Sequence, residues 1–354
     1  MAASAAADMV PFDADRWAIG ARESRIADHL GRRSLYLKAG DALVKGASFT
    51  DGVIEFDMAF GPERGFMGAV WRAEDSENCE NFYIRPHQSG NPDANQYQPV
   101  FNGVAAWQLY HGERYGAPTR YAFDQWVHFK IVVSGKSAEF YIDDMDKPVL
   151  RVEQKREIQA GTVGLSVGNF AGAYFSNFRF EAGAAPPLRG GAPKPESAPP
   201  GAIRTWRVSG TFAAKSLDGK HELSAEERRV AGWTALAAEG SGIANLARVQ
   251  GIGEGRDTAF ARATIRSERA QVKKLRLGFS DAVKVFLNDR ALYGGRDAYQ
   301  SRDYRFLGSV GLFDEVYLPL RQGDNELWLA VTEGFGGWGV IAAFDDLDGM
   351  TIAE

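Results

Sequence analysis

The feature that most constrains this chain is a two-residue alternation of apolar and polar side chains, repeated in short runs. In Val53-Ile-Glu-Phe-Asp-Met-Ala-Phe60, Glu55 and Asp57 alternate with Ile54, Phe56 and Met58. Successive side chains of a strand point to opposite faces, so this run makes a strand with one face on a core. Further runs at 66–72, 81–87, 106–110, 127–134, 138–142, 164–167 and 174–180 are separated by clusters of Gly, Asn, Asp and Pro. Those residues favour turns, and 138–152 reads as a hairpin around Asp143-Asp-Met-Asp146. No segment carries a 3.6-residue apolar stripe longer than two turns. The pattern predicts an all-β chain.

At 354 residues the chain exceeds one ordinary domain. Residues 183–201, GAAPPLRGGAPKPESAPPG, hold six of its 14 prolines and almost nothing to bury. Such a segment reads as an extended polyproline-II spacer. The predicted organisation is two antiparallel β-sandwiches (jelly rolls), at 8–182 and 202–354, joined by a Pro-rich linker at 183–201.

Composition narrows the function classes. With 45% hydrophobic and 25% charged residues the chain is globular, not disordered. A net charge of −5 argues against a broad phosphate-binding surface, so no nucleic acid is expected as a partner. No window approaches 18 consecutive apolar residues, so no membrane span is expected. Cys79 is the single cysteine, which excludes an intramolecular disulfide and a multi-cysteine zinc site. Its acidic neighbours Glu77 and Glu80 should raise its pKa and make it a poor nucleophile. Residues 1–8, MAASAAAD, have the small-residue character of the tail around an Ala-x-Ala cleavage site. The expected location is periplasmic or secreted, as a mature form.

The richest candidate segment is Glu80-Asn-Phe-Tyr-Ile-Arg-Pro-His-Gln-Ser-Gly90. Alternation places Asn81, Tyr83, Arg85 and His87 on one face. On the preceding strand Arg72 shares a face with Phe66, Gly68 and Val70, which predicts that it approaches Arg85. The following segments add Gln96, Tyr97 and Asn102, then Gln108 and Tyr110. Such a groove offers planar donors and acceptors for hydroxyls, and aromatic faces for the C–H side of a sugar. Two arginines also suit a carboxylate held by forked hydrogen bonds. The plainer reading pairs Arg85 with Glu80 or Glu77 and packs His87 in a loop beside Pro86.

Phe49-Thr-Asp-Gly-Val-Ile-Glu-Phe-Asp57, Gln125-Trp-Val-His-Phe-Lys-Ile-Val-Val133, Phe140-Tyr-Ile-Asp143, Gly161-Thr-Val-Gly-Leu165 and Ala173-Tyr-Phe-Ser-Asn-Phe-Arg-Phe180 follow in order. This series resembles the concanavalin A-like lectin/glucanase jelly roll, in its laminin-G or 3-keto-disaccharide-hydrolase form, over 8–181. Val283-Lys-Val-Phe-Leu-Asn-Asp-Arg290 and Arg321-Gln-Gly-Asp-Asn-Glu-Leu-Trp-Leu-Ala-Val331 resemble strands of the galactose-binding-like jelly roll, over 203–354. Asp289 stands at a usual Gly position, which it can fill because Asp visits positive φ.

The first resemblance implies a sugar on the concave sheet. Retaining glucanases of that fold carry Glu-x-Asp-x-(x)-Glu; Glu55 and Asp57 supply two of these carboxylates and the third is absent. Polysaccharide lyases of that fold need an Arg to neutralise a uronate and a Tyr or His to move a proton. Tyr83, Arg85 and His87 are therefore the catalytic candidates if the chain is an enzyme, although their order does not reproduce the lyase signature. No metal ligand set or cofactor is expected. Asp345-Asp-Leu-Asp-Gly349 lacks EF-hand spacing, although both fold types often carry a structural Ca²⁺. The expected function is an exported carbohydrate-binding protein that recognises an oligosaccharide or polysaccharide. Two alternatives stay open: a glycoside hydrolase or polysaccharide lyase using the same groove, and a protein-interaction module.

Overall fold

The computed structural model describes residues 9–353, so the residues read above as an export remnant lie outside it. Among the described residues the regular elements are β-strands and short 3-10 turns, with no α-helix. No helix there is long and apolar enough to cross a membrane. The chain divides into two compact units: one runs to Val100 and resumes over Tyr110–Lys194, the other comprises Phe101–Leu109 and the chain from Pro195. The excursion at 101–109 departs from the continuous module expected over 8–182.

The first unit contains β1 (Trp17–Ile19), β2 (Glu23–His29), β3 (Arg32–Lys38), β4 (Gly40–Val44), β5 (Gly52–Ala59), β6 (Met67–Asp75), β7 (Asn78–Ile84) and β8 (Asn95–Phe101). After β9 (Val104–Ala105), which belongs to the second unit, it continues with β10 (Val127–Ser134), β11 (Ser137–Ile142), β12 (Leu150–Glu153), β13 (Thr162–Val167) and β14 (Ala173–Ala182). One sheet runs β1-β4-β13-β6-β7-β8 and the other β12-β11-β10-β5-β14-β3-β2, with every pair antiparallel.

Alternation sets the core between these sheets. Ile54, Phe56 and Met58 of β5 are fully buried. Phe82 of one sheet stacks on Phe140 of the other at 4.1 Å, and Phe56 stacks on Phe129 at 5.2 Å. Burying each such ring contributes about 2–3 kcal/mol. Gly52 opens β5 at a φ of +142°, where a Cβ would lie 1.8 Å from the Glu181 carbonyl oxygen. At the hairpin between β11 and β12, Asp144 accepts the N–H groups of Asp146 and Lys147.

Residues 183–201 carry no helix or strand, but the first part is fastened down. The Glu139 carboxylate accepts the N–H groups of Arg189 and Gly190, and Arg114 donates to the Lys194 carbonyl at 2.7 Å. Two expected strands differ: 106–110 forms turns, and the 81–87 run stops at Ile84 because Pro86 opens a 3-10 turn.

The second unit is also a pair of antiparallel sheets. Its strands are β15 (Thr205–Val208), β16 (Thr234–Ala237), β17 (Ala244–Asn245), β18 (Thr258–Ser267), β19 (Gln271–Ser280), β20 (Ala282–Leu287), β21 (Arg290–Arg296), β22 (Asp314–Leu320), β23 (Gly323–Thr332), β24 (Gly339–Phe344) and β25 (Met350–Ile352). The larger sheet runs β16-β15-β18-β23-β20-β21, with β25 also on β18, and the smaller β17-β24-β19-β22. Trp206, Leu277, Leu329 and Trp338 lie in the core between them. The β20–β21 turn uses Asn288 and Asp289, both at positive φ. Asp345, Asp346 and Asp348, weighed above as a calcium loop, pair instead with Lys274 and Arg276, Lys273, and Arg269 respectively.

Candidate functional site

Antiparallel register carries one line of side chains across the first unit. Asp41 on β4 pairs with Ser166 on β13, Ser166 with Gly68 on β6, Gly68 with Tyr83 on β7, and Tyr83 with Gln96 on β8. Residues in register share a face of the pleat, so this line lies opposite the core-facing Ala69, Phe82 and Tyr97. Two positions along, Leu43, Gly164, Val70, Asn81 and Gln98 make a second line. Gly68 adds no side chain between Ser166 and Tyr83. A Cβ there would lie 2.0 Å from the Phe82 carbonyl oxygen.

Tyr83 and Arg85 anchor one end. Arg85 Nη2 donates to the Tyr83 hydroxyl at 3.0 Å, and its Nη1 donates to the Asp93 carbonyl at 2.8 Å. Both residues are buried, whereas Phe66, His87 and Asp93 beside them are half-buried. The Phe66 ring meets Tyr83 and His87 edge-on, at 5.8 and 5.6 Å. Burial pushes the Tyr83 phenol above its ordinary value, opposed by Arg85. Burial, followed by the charges of Arg64 and Arg85, holds His87 below the usual imidazole range, so it is neutral at pH 7. His111 is lowered by burial and then by Arg85. Burial raises Asp41, against a Ser166 hydrogen bond that favours its charge.

Two buried polar atoms here have no hydrogen-bond partner among the described residues: Gln98 Oε1 and His87 Nδ1. Gln98 Nε2 does donate to Asn81 Oδ1 at 3.1 Å, so the amide is held with its oxygen unused. Leaving such an atom unsatisfied costs about 1–3 kcal/mol, which a ligand hydroxyl can recover.

The structure gathers only some of the residues singled out from sequence. Tyr83, Arg85, His87 and Gln96 belong to this site, although Gln96 is buried and donates to the Tyr97 and Tyr110 carbonyls. Arg72 does not approach Arg85. Gly68 pairs with Tyr83, so Arg72 and Arg85 lie toward opposite ends of the β6–β7 pair. A register shift after Trp71 and a φ of +47° also turn Arg72 inward, where it donates to the Thr50 and Gly135 carbonyls and meets Asp51 at 3.2 Å.

Tyr97 points into the core, where its hydroxyl donates to Glu80 at 2.6 Å. Tyr110 is buried against Tyr115, with the Lys155 ammonium 5.6 Å from its ring. Asn102 and Gln108 fall in the second unit, where they donate to the carbonyls of Ala247 and Leu307. Asp41, Ser166, Gln98 and His111 are not singled out by the local sequence pattern. Only Gln98 carried a usable signal, since it shares the strand parity of Gln96.

Glu55 and Asp57 sit on the other sheet, on the opposite face of β5 from Phe56. His128, Arg32 and Asn177 hold Asp57 at 2.6, 2.5 and 2.6 Å, and Arg179 holds Glu55 at 2.6 Å. Cys79 is buried on β7, and burial pushes its thiol well up.

No protein-family model matches the chain, and no curated protein matches it in sequence. Among solved structures it is similar to the carbohydrate-binding module CBM66 from Bacillus subtilis, with 21% identity over 49% of this chain and 100% of that one, at a TM-score of 0.37. It is similar to the Bacillus licheniformis β-glucanase, with 10% identity over 50% of this chain and 96% of that one, at 0.36. A Bacillus subtilis protein with a galectin-like fold is 12% identical over 47% of this chain and 89% of that one, at 0.35.

Proposed function

We propose that the outer face built on β4, β13, β6, β7 and β8 binds a saccharide without cleaving it. The observation that carries this is two unused buried atoms flanking the Tyr83–Gln96 row, Gln98 Oε1 on one side and His87 Nδ1 in the 3-10 turn on the other, beside a line of hydroxyl, amide and carboxyl groups. A sugar presents hydroxyls that both donate and accept, and its C–H side suits the half-buried Phe66 ring. The concanavalin A-like resemblance of the strand motifs points the same way. Glycosidase chemistry needs two carboxyl groups facing one bond. The line holds one, Asp41, while Glu55 and Asp57 are tied to basic side chains on the other sheet. We place the protein outside the cytoplasm, where polymeric glycans are met; its buried Cys79 thiol is suited to an oxidising compartment.

A lyase is the second reading, favoured by a neutral His87 whose Nδ1 is unused. Both readings are tested by incubating the protein with neutral and acidic glycans. Thermal shift reports binding, and reducing-end and ultraviolet assays report products. The expected result is stabilisation without products, lost in Gln98→Ala. Products that disappear in His87→Ala overturn the binding reading in favour of an enzyme.

A further inference from the structure

The second unit carries a cleft of about 530 Å³ on the outer face of its larger sheet. Its floor comes from Arg262 of β18 and from Glu326 and Trp328 of β23. One wall is part of the strap over 212–233, whose Phe212, Leu217, Leu223, Val230 and Trp233 pack on Phe260, Phe286 and Trp328. That packing fixes the strap against the sheet. Within it Ser224 and Glu227 cap one another: the Glu227 carboxylate accepts the Ser224 N–H at 2.6 Å, and the Ser224 hydroxyl accepts the Glu227 N–H at 3.3 Å. This capping box sets the turn that presents Arg228 and Arg229.

Four guanidinium groups, those of Arg228, Arg229, Arg262 and Arg321, line the cleft with two carboxylates, Asp289 and Glu326. Arg228 is neutralised by Asp289 at 2.9 Å. Arg262 lies 3.4 Å from Glu326 and over the rings of Trp233 and Trp328, at 4.8 and 5.4 Å. Among the described residues Arg229 meets no carboxylate, and the Arg321 guanidinium makes only a long contact to the Asp324 carbonyl at 3.4 Å. Two cations are therefore left over on a chain whose net charge is −5.

We propose that this cleft binds a saccharide bearing a carboxylate, with Arg229 and Arg321 gripping the carboxylate and Asp289, Glu326 and Asn288 meeting hydroxyls. Guanidinium forks match carboxylate geometry. The two acids, each paired with an arginine, accept hydrogen bonds from hydroxyls beside the two cations left over, which suits a polyhydroxylated carboxylate. The volume lies within the range of small-molecule sites, larger than a bare ion needs. This cleft lies wholly in the second unit, so binding there is separable from binding at the β4–β8 face of the first.

The test is titration calorimetry of the full chain with oligomers of galacturonate, glucuronate and mannuronate, with neutral oligomers of equal length, and with inorganic sulfate. At least one uronate oligomer is expected to bind, with affinity falling as salt rises. The double variant Arg229→Gln, Arg321→Gln is expected to lose that affinity at least tenfold without a change in melting temperature. Arg269→Gln, on an exposed ion pair with Asp348, is expected to leave it intact. No uronate binding, equal binding of neutral oligomers, unchanged affinity in the folded double variant, or equal competition by sulfate overturns the proposal. Loss of the same affinity in His87→Ala also overturns it, by assigning the binding to the first unit.

Discussion

His128 Nδ1 lies 2.6 Å from Asp57 Oδ1, and on its other side Nε2 is 3.7 Å from Glu55 Oε1. β10 and β5 bring these three side chains together, because His128 is in register with Asp57. Hydrogen bonds to Asp57 and then Glu55 raise His128 from 6.5 to about 9, against the burial that lowers it. The folded state therefore holds a proton that the unfolded chain releases near its ordinary pKa. The stabilisation is fully present below about pH 6.5 and is lost as pH rises through about 9. The group is half-buried, so solvent screening reduces the contribution to about 1–2 kcal/mol. Denaturant titrations from pH 6 to 10 are expected to show the loss in the native chain and a flatter profile in His128→Gln. An unchanged slope in that variant counts against the coupling.

The same strand shows what was legible in the sequence. Ile54, Phe56 and Met58 alternate with Glu55 and Asp57, and a period of two settles which side is buried without knowledge of any partner strand. The all-β class and the Asp-rich hairpin at 143–146 follow from the same local rules. The candidate site depends on more than local pattern. Gln96 and Tyr97 are neighbours in one strand and must face opposite ways, so they could not both line a groove. Arg72 fits the parity of β6 until the register shift after Trp71 turns it inward, and that shift is set by the partner strands. Asp41 and Ser166 join the site because of pairing across most of the first unit, which no local pattern encodes. Asn102 and Gln108 leave it because residues 101–109 cluster with the second unit.

Glu333 in the second unit should oppose stability as pH rises. It is buried next to Asp281; Gly337 N–H donates to its Oε1 at 2.9 Å, while Oε2 has no partner among the described residues. Burial, then the charge of Asp281, raises it from 4.5 to about 8. The folded state keeps a proton that the unfolded state loses, so stability falls between about pH 4.5 and 8 and levels off above that. Glu333→Gln keeps an acceptor for Gly337 and removes the charge. It is expected to be more stable than the native chain at pH 8.5 by about 2–4 kcal/mol, with little difference at pH 4.5. Urea unfolding at the two pH values measures this, and equal stabilities at pH 8.5 would show that Glu333 ionises without penalty.

Arg72 is a structural cation. Its side chain is fully buried and satisfies the Thr50 and Gly135 carbonyls, while Asp51 faces it and also accepts the Gly135 N–H at 2.6 Å. Arg72→Met strands a carboxylate and two carbonyls in a partly buried setting, and the expected cost is about 2–4 kcal/mol. Differential scanning calorimetry should show the loss. A variant melting within 2 °C of the native chain, roughly the shift a fraction of a kcal/mol makes, would mean that the surrounding residues reorganise.

Gln98 and Tyr83 separate binding from support in the proposed saccharide site. Gln98 Oε1 has no partner among the described residues, so Gln98→Met removes a ligand contact and, of the hydrogen bonds it makes, loses its donation to Asn81. Its stability is expected to stay within about 1 kcal/mol of native, while affinity for a bound glycan falls about fivefold to tenfold. Tyr83 differs because its hydroxyl accepts from the buried Arg85. Tyr83→Phe takes away the acceptor of a charged donor, so it should lose about 1.5–3 kcal/mol of stability as well as affinity. Melting curves and glycan titrations on the two variants measure the contrast. Equal losses of stability would show that Gln98 supports the sheet, and would leave the proposed face without its ligand-facing acceptor.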